Sequence, residues 1–102
     1  MDPFKPYQPK PKAFLPGNLT VEDAETVALK AVTFLVGDDV LLPRFFALTG
    51  CGAEELRARI TEKAFLGAVL DFLLGDERTL LDFAASAALA PELVMLARAK
   101  LP

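Results

Sequence analysis

After residue 18, apolar residues recur along the chain with a period close to 3.6, which is the repeat of an α-helix. The first such stretch runs from about Val21 to Val36. Thr20 precedes it as a cap, and Asp23 stands three residues later, where it completes a capping box. Gly37 follows the stretch and favours a left-handed C-terminal cap. These signals predict a first helix with both of its ends defined.

Five further segments carry the same repeat, and no alternating pattern typical of a β-strand competes with them. The second is expected to begin only near Pro43, because proline removes a backbone donor and kinks a longer helix. The fourth is apolar on nearly every side, so it predicts a buried central helix. The predicted bounds of the five are about 43–48, 53–60, 62–74, 77–88 and 91–100. The predicted fold class is therefore all-α, a compact bundle of about six short helices.

The sequence also contains an internal repeat at an offset of 38 residues. Seven of the 14 residue pairs between 34–47 and 72–85 are identical, and they include a glycine followed by an aspartate. Helices one to three then correspond to helices four to six, as two three-helix units over 21–60 and 62–101. We interpret residues 19–102 as one domain in which the two units pack together.

Residues 1–18 form a separate, proline-rich segment. Prolines at positions 3, 6 and 9 match the three-residue turn of a polyproline II helix, so we expect an extended arm. Its candidate interaction surface consists of Phe4, Pro6, Tyr7, Pro9 and Phe14. Either these side chains bind an aromatic groove on another protein or, as we favour, the aromatic ones cover apolar surface of the domain itself.

The N-terminal segment and the rest of the chain also differ in net charge. The net charge is −3, and residues 1–18 hold three lysines and one aspartate, which leaves −5 on residues 19–102. Such an acidic domain is repelled by phosphate backbones, so nucleic acid is not expected as a partner. No stretch approaches the roughly 18 apolar residues of a membrane span, and the first residues lack the core of a secretory signal. With a single cysteine, Cys51, and hence no internal disulfide, we expect a cytoplasmic protein without a membrane partner.

Residue types that carry chemistry are sparse. The chain has no histidine, so Cys51 lacks the base that cysteine hydrolases use, and we expect it to be a small buried apolar residue. The acidic turns 38–39 and 76–77 are explained as helix N-caps rather than as ligands of a divalent cation. No catalytic pair or phosphate-binding loop is present. We therefore predict no catalytic residue, metal site, cofactor or enzyme activity.

The stretch 44–60 resembles in outline a helix-turn-helix DNA-binding motif. Its second helix begins with Ala53, Glu54 and Glu55, which puts two carboxylates where phosphate and base contacts are normally made. This charge argues against a DNA-binding regulator.

One face of the fourth predicted helix carries unusually small residues, namely Ala64, Gly67, Ala68 and Gly75. Glycine inside a helix costs about 1 kcal/mol relative to alanine, so this face indicates close approach by another helix or by a ligand. Asp71 shares the face and is the one charged residue between positions 64 and 74. We predict that Asp71 and Arg44 form a structural polar pair.

Two strings, 44–50 (RFFALTG) and 65–77 (FLGAVLDFLLGDE), resemble the signature of a small, uncharacterised family of helical proteins from alphaproteobacteria, the domain of unknown function 3572. The likeness covers about residues 20–101. It implies a short cytoplasmic helical protein and brings no activity, ligand or cofactor with it. The chain departs from the family pattern in three places. It has the proline-rich arm, it has Pro43 where the family usually has glycine, and it has Ala90 where the family has an aspartate that caps the last helix.

We expect a non-enzymatic protein–protein interaction module, either a homodimer or an adaptor. The reason is the apolar content of 53%, which exceeds what many monomers of this size bury. The alternative is a carrier of a small apolar ligand, held between the two units near the small face of the fourth helix.

Overall fold

The computed structural model describes residues 19–102. The arm predicted over residues 1–18, with its candidate surface, lies outside the described part. Within it the chain forms helices joined by short turns and no strand, so the predicted all-α bundle is confirmed. In chain order, the helices are α1 (Val21–Val36), α2 (Leu41–Thr49), α3 (Ala53–Arg59), α4 (Lys63–Leu74), α5 (Glu77–Ala87) and α6 (Pro91–Ala99).

The start of α1 follows the sequence prediction. The Thr20 hydroxyl accepts a hydrogen bond from the Asp23 N–H at 3.0 Å, and the Asp23 carboxylate accepts one from the Thr20 N–H at 3.1 Å. This capping box satisfies two of the amide groups that a helix leaves without acceptors at its beginning.

The turn between α1 and α2 corrects two predictions. Gly37 ends α1 with φ of −82°, so it is not a left-handed cap. In addition, α2 begins at Leu41, two residues before Pro43. Because Pro43 occupies the first turn, where backbone N–H groups have no acceptor within the helix, its missing N–H costs nothing and the proline does not delay the helix.

The centre of the bundle is shared by α4 and α1. As predicted, α4 is largely buried, and it packs against α1, α5 and α6. The packing of α1 is equally extensive, mainly against α4 and α6. Alanines at positions 24, 28 and 31 are fully buried on α1, so neighbouring helices approach its backbone closely. The largest fully buried side chains of the bundle are Phe45, Phe83, Leu35, Leu66, Leu70, Leu73, Val27, Val69 and Val94.

The ends of α1 and α2 recur 38 residues later as the ends of α4 and α5. α1 and α4 end at Val36 and Leu74, and each is followed by a glycine with φ near −80°. α2 ends before Gly50, which has φ of +71°. Its counterpart after α5 is Ala88, with φ of +56°, the one residue other than glycine that has positive φ in the described range.

No single helix within residues 19–102 combines the length and hydropathy needed to cross a membrane. Together, α5 and α6 reach that length and hydropathy, but the two helices are bent by 101°.

Candidate functional site

A surface cleft lies beside the end of each of the two central helices. The first has a volume of about 480 Å³, and we call it the Phe34 cleft. Its lining includes Lys30, Thr33, Phe34, Asp38, Phe83 and Ser86. The second has a volume of about 250 Å³, and we call it the Leu48 cleft. Its lining includes Arg44, Leu48, Asp71, Phe72, Gly75 and Asp76.

Each cleft contains a half-buried phenylalanine that meets a fully buried one edge to face. In the first cleft, the ring centroids of Phe34 and Phe83 lie 5.5 Å apart, with their planes at 61°. In the second, the Phe72 ring lies 5.3 Å from that of Phe45, at 85°. Edge-to-face pairs add about 0.5–1.5 kcal/mol to the free energy gained by burial, so both rings that line the clefts are firmly held.

The two clefts correspond at the offset of 38 residues. The corresponding lining residues are Thr33 and Asp71, Phe34 and Phe72, Gly37 and Gly75, Asp38 and Asp76, and Ser86 and Leu48. The aromatic contact also corresponds. At the offset of 38 residues Phe34 aligns with Phe72 and Phe83 aligns with Phe45, and both pairs are in contact. The clefts therefore share a frame and differ in the side chains at their rims.

Leu48 is the most prominent apolar side chain at either rim. It is 72% exposed on the last turn of α2, the highest exposure among the large apolar residues of the described part. Arg44 lies one helical turn earlier on the same side of α2, because residues four apart share a helix face. The Leu48 cleft thus combines a projecting apolar side chain, a cationic group and an aromatic wall.

Asp71 has a different partner from the one that the sequence suggested. Its Oδ1 accepts a hydrogen bond from Arg98 Nε at 2.6 Å, as part of an ion pair between α4 and α6. Arg44, the predicted partner, lines the same cleft, but no ion pair joins it to Asp71 or to any other residue in the described range. Arg98 is held in position to pair with Asp71. Its Nη1 also donates hydrogen bonds to the carbonyls of Leu101 and Pro102, at 3.0 and 3.2 Å, and these bonds fix the Arg98 side chain across α4.

The small face of α4 is covered by the chain itself at Gly67, while Ala64 and Gly75 on that face are exposed. A Cβ atom placed on Gly67 would lie 2.8 Å from the Pro102 carbonyl oxygen and 3.0 Å from Arg98 Nη1. The close approach that the sequence indicated is thus made at Gly67 by Arg98 and the residues after α6.

Both acidic turns cap helices. The Asp38 carboxylate accepts hydrogen bonds from the N–H groups of Leu41 and Val40, at 2.9 and 2.8 Å, and these bonds lower the pKa of Asp38. Asp76 accepts from the Arg78 N–H at 3.0 Å and from the Thr79 hydroxyl at 3.1 Å, at the start of α5. Within residues 19–102, no three carboxylate or thiol groups come close enough to hold a metal ion.

Cys51 is buried in the turn between α2 and α3. Its thiol lies 3.3 Å from the Gly52 carbonyl oxygen, to which it donates a hydrogen bond. Burial raises the pKa of the Cys51 thiol, the Glu55 carboxylate raises it further, and Arg59 acts in the opposite direction. The thiolate, which is the reactive form, is therefore disfavoured at neutral pH.

Comparison with known proteins identifies a family. Residues 21–102 match the profile of the family described as protein of unknown function DUF3572. The chain belongs to this family. No curated protein matches it. No solved structure does so either.

The two strings on which the family resemblance rests, 44–50 and 65–77, come together in the fold. The first forms most of α2 and its cap, and the second forms most of α4 and the turn into α5. These two strings supply all the residues that line the Leu48 cleft except Thr79.

Sequence reasoning missed Leu48 and Phe72 as site residues, because both fit the apolar repeat of their helices. For Leu48, the offset of 38 residues supplies a signal. It aligns Leu48 with Ser86, and an exposed leucine where the other half has a serine marks a surface that differs from its counterpart.

Proposed function

We propose that this protein is a non-enzymatic interaction module that forms a homodimer through the Leu48 cleft. The observation that carries the proposal is the combination, on one surface, of a projecting leucine and a hollow with an aromatic wall. A reducing compartment such as the cytoplasm suits the lone buried thiol of Cys51.

Self-complementarity favours a second copy as the partner. In a twofold-symmetric dimer the same surface patch meets itself, so every protruding group needs a matching hollow on that same patch. Leu48 and the hollow beside Phe72 and Gly75 meet this requirement. Leu48 of each copy is expected to enter the hollow of the other and to lie against the Phe72 ring.

The charges on the patch support the same pairing. Arg44 lines the hollow without an ion pair in the described range, while the carboxylates of Asp71 and Asp76 lie on the same lining. A twofold axis beside the hollow brings Arg44 of one copy toward the carboxylates of the other. Such complementarity fixes orientation and suppresses other pairings.

The size of the hollow favours a side chain over a free ligand. Pockets for small molecules usually measure about 300–1,000 Å³ and enclose most of the ligand. The Leu48 cleft has about 250 Å³ and opens to the surface. Insertion of one apolar side chain from a partner suits this volume.

Sedimentation velocity across a wide concentration range tests the proposal, with wild type, Leu48→Glu and Leu81→Glu compared. Leu81 is a matched control, because it is 48% exposed on α5 and lies outside the Leu48 cleft. We expect a wild-type dimer that dissociates on dilution. Leu48→Glu is expected to cost about 2 kcal/mol of association free energy, roughly a thirtyfold rise in the dissociation constant. Leu81→Glu is expected to behave as wild type.

Two outcomes contradict the proposal. One is a wild-type chain that stays monomeric at every concentration reached. The other is a dimer that Leu48→Glu and Leu81→Glu weaken equally, because this would place the interface elsewhere.

A further inference from the structure

We infer that the Phe34 cleft receives residues 4–9 of the chain's own N-terminal segment, with the Tyr7 ring against the half-buried Phe34. The occupant is thus a segment of the same molecule, and the inference does not depend on the dimer proposed above.

The shape of the Phe34 cleft leaves room for an aromatic ring. Its counterpart, the Leu48 cleft, carries a leucine at the rim, and the Phe34 cleft carries Ser86 at that position. The volume of the Phe34 cleft is also larger, about 480 against 250 Å³. The half-buried edge of the Phe34 ring is therefore open to a ligand that supplies its own apolar group.

The chemistry of the wall matches a proline-rich segment. Grooves lined by aromatic rings bind polyproline II segments, because prolines pack flat on the rings and lose little conformational entropy on binding. Pro6 and Pro9 flank Tyr7 in the N-terminal segment. Lys30, also in the lining, can lie over the Tyr7 ring or donate to its hydroxyl group.

Chain length favours Tyr7 over Phe14. Leu19, just before α1, and Phe34 are 15 residues apart, which is about 22 Å along a helix. Phe14 precedes Leu19 by five residues, and a fully extended chain of that length spans at most about 18 Å. Tyr7 precedes Leu19 by 12 residues, about 37 Å in a polyproline II helix. Tyr7 therefore reaches the cleft with chain to spare, whereas Phe14 reaches it only with a fully extended chain and its side chain directed along α1.

Charge favours docking on this domain. Residues 1–18 carry a net +2 and residues 19–102 a net −5. Lys5 lies within the segment that would occupy the cleft, Lys10 directly follows that segment, and Asp38 lines the cleft. Attraction between these groups aligns the segment along the end of α1, and salt weakens it.

The composition of the chain provides a specific probe. Tyr7 is the only tyrosine and there is no tryptophan, so tyrosine fluorescence reports on Tyr7 alone. The experiment is acrylamide quenching of the full chain, with a free peptide of residues 1–18 as the exposed reference. The test variant is Ser86→Leu, which puts a leucine at the rim as in the other cleft. The matched control is Leu48→Ser, the same exchange reversed in the Leu48 cleft.

The inference predicts that Tyr7 in the wild-type chain is protected from acrylamide relative to the peptide, equally at high and low protein concentration. Ser86→Leu is expected to abolish the protection, and Leu48→Ser to leave it unchanged. Wild-type quenching equal to that of the peptide would overturn the inference. So would protection that survives Ser86→Leu, since the segment would then lie elsewhere, or protection lost on dilution, since the occupant would then come from a second copy. Because the dimer is tested at Leu48 by sedimentation, either proposal can fail alone.

Discussion

The Phe34 cleft and the Leu48 cleft share a frame and differ at the rim. In both, a central helix ends at a glycine, an aspartate after it caps the next helix, and a half-buried phenylalanine meets a buried one. The rim of one carries Thr33 and Ser86, and the rim of the other carries Asp71 and Leu48. The comparison teaches that an arrangement of core residues that occurs twice in one chain can present two surfaces of different chemistry.

The buried phenylalanines of the two clefts are not equally embedded. Phe83 has one ring contact in the described range, with Phe34. Phe45 contacts three rings, those of Phe46, Phe65 and Phe72. Through Phe45, α2 is held against α4 by aromatic contacts, and this arrangement supports the wall of the Leu48 cleft.

The largest expected effect comes from removing these two rings. Phe45→Ala and Phe83→Ala should each lower the free energy of unfolding by about 3–5 kcal/mol, because each leaves a cavity in the core. Phe45→Ala is expected to cost more, since it removes three ring contacts instead of one. Urea denaturation followed by circular dichroism measures the loss of unfolding free energy in each variant. A larger loss for Phe83→Ala would contradict the difference in embedding.

Smaller changes in the free energy of unfolding, of opposite sign, are expected from substitutions in the turns after α2 and α5. Gly50 and Ala88 both have positive φ, which costs a residue with a Cβ atom about 1 kcal/mol. Gly50→Ala should therefore destabilise the fold by about 1 kcal/mol, and no atom lies near enough to its Cβ to add a clash. Ala88→Gly should stabilise it by up to a similar amount. Thermal denaturation measures both changes, and equal signs would contradict the shared turn geometry.

The smallest expected effect is on the free energy of unfolding at low pH. Backbone hydrogen bonds lower the pKa of Asp38 in the folded state relative to the unfolded state, whose ordinary value is 3.8. The ionised carboxylate therefore stabilises the fold fully above pH 3.8, and the contribution is lost as pH falls through the lowered pKa. Asp38→Asn keeps an acceptor for the cap but does not titrate. We expect the stability difference between wild type and Asp38→Asn, measured in urea from pH 7 to 2, to shrink below pH 4. A constant difference would contradict this role of Asp38.

Much of the fold could be predicted from local signals. The capping box at Thr20, the cap at Asp76 and the apolar repeats place five of the six helix starts within about one residue. The start of α2 was predicted too late, because the cost of proline depends on its position within the first turn and the sequence does not give the first residue of that turn.

The candidate site was less accessible to sequence reasoning. Asp71 was expected to pair with Arg44, but its partner is Arg98, which lies at the same sequence separation on the other side and is oriented by the carbonyls of Leu101 and Pro102. Such a choice depends on tertiary packing that helical periodicity does not encode. Leu48 and Phe72 fit the apolar pattern of their helices, so helical periodicity does not separate them from core residues, whereas their exposure in the fold does.

The central claim is that Leu48 of one copy inserts beside Phe72 of another. Isotope-filtered nuclear Overhauser spectroscopy on a mixture of labelled and unlabelled chains tests it most directly, since it detects only contacts between copies. The account predicts cross-peaks between the Leu48 methyl groups of one copy and the Phe72 ring protons of the other. Absence of such cross-peaks at concentrations where the dimer forms, or their appearance at another face of the bundle, would contradict it.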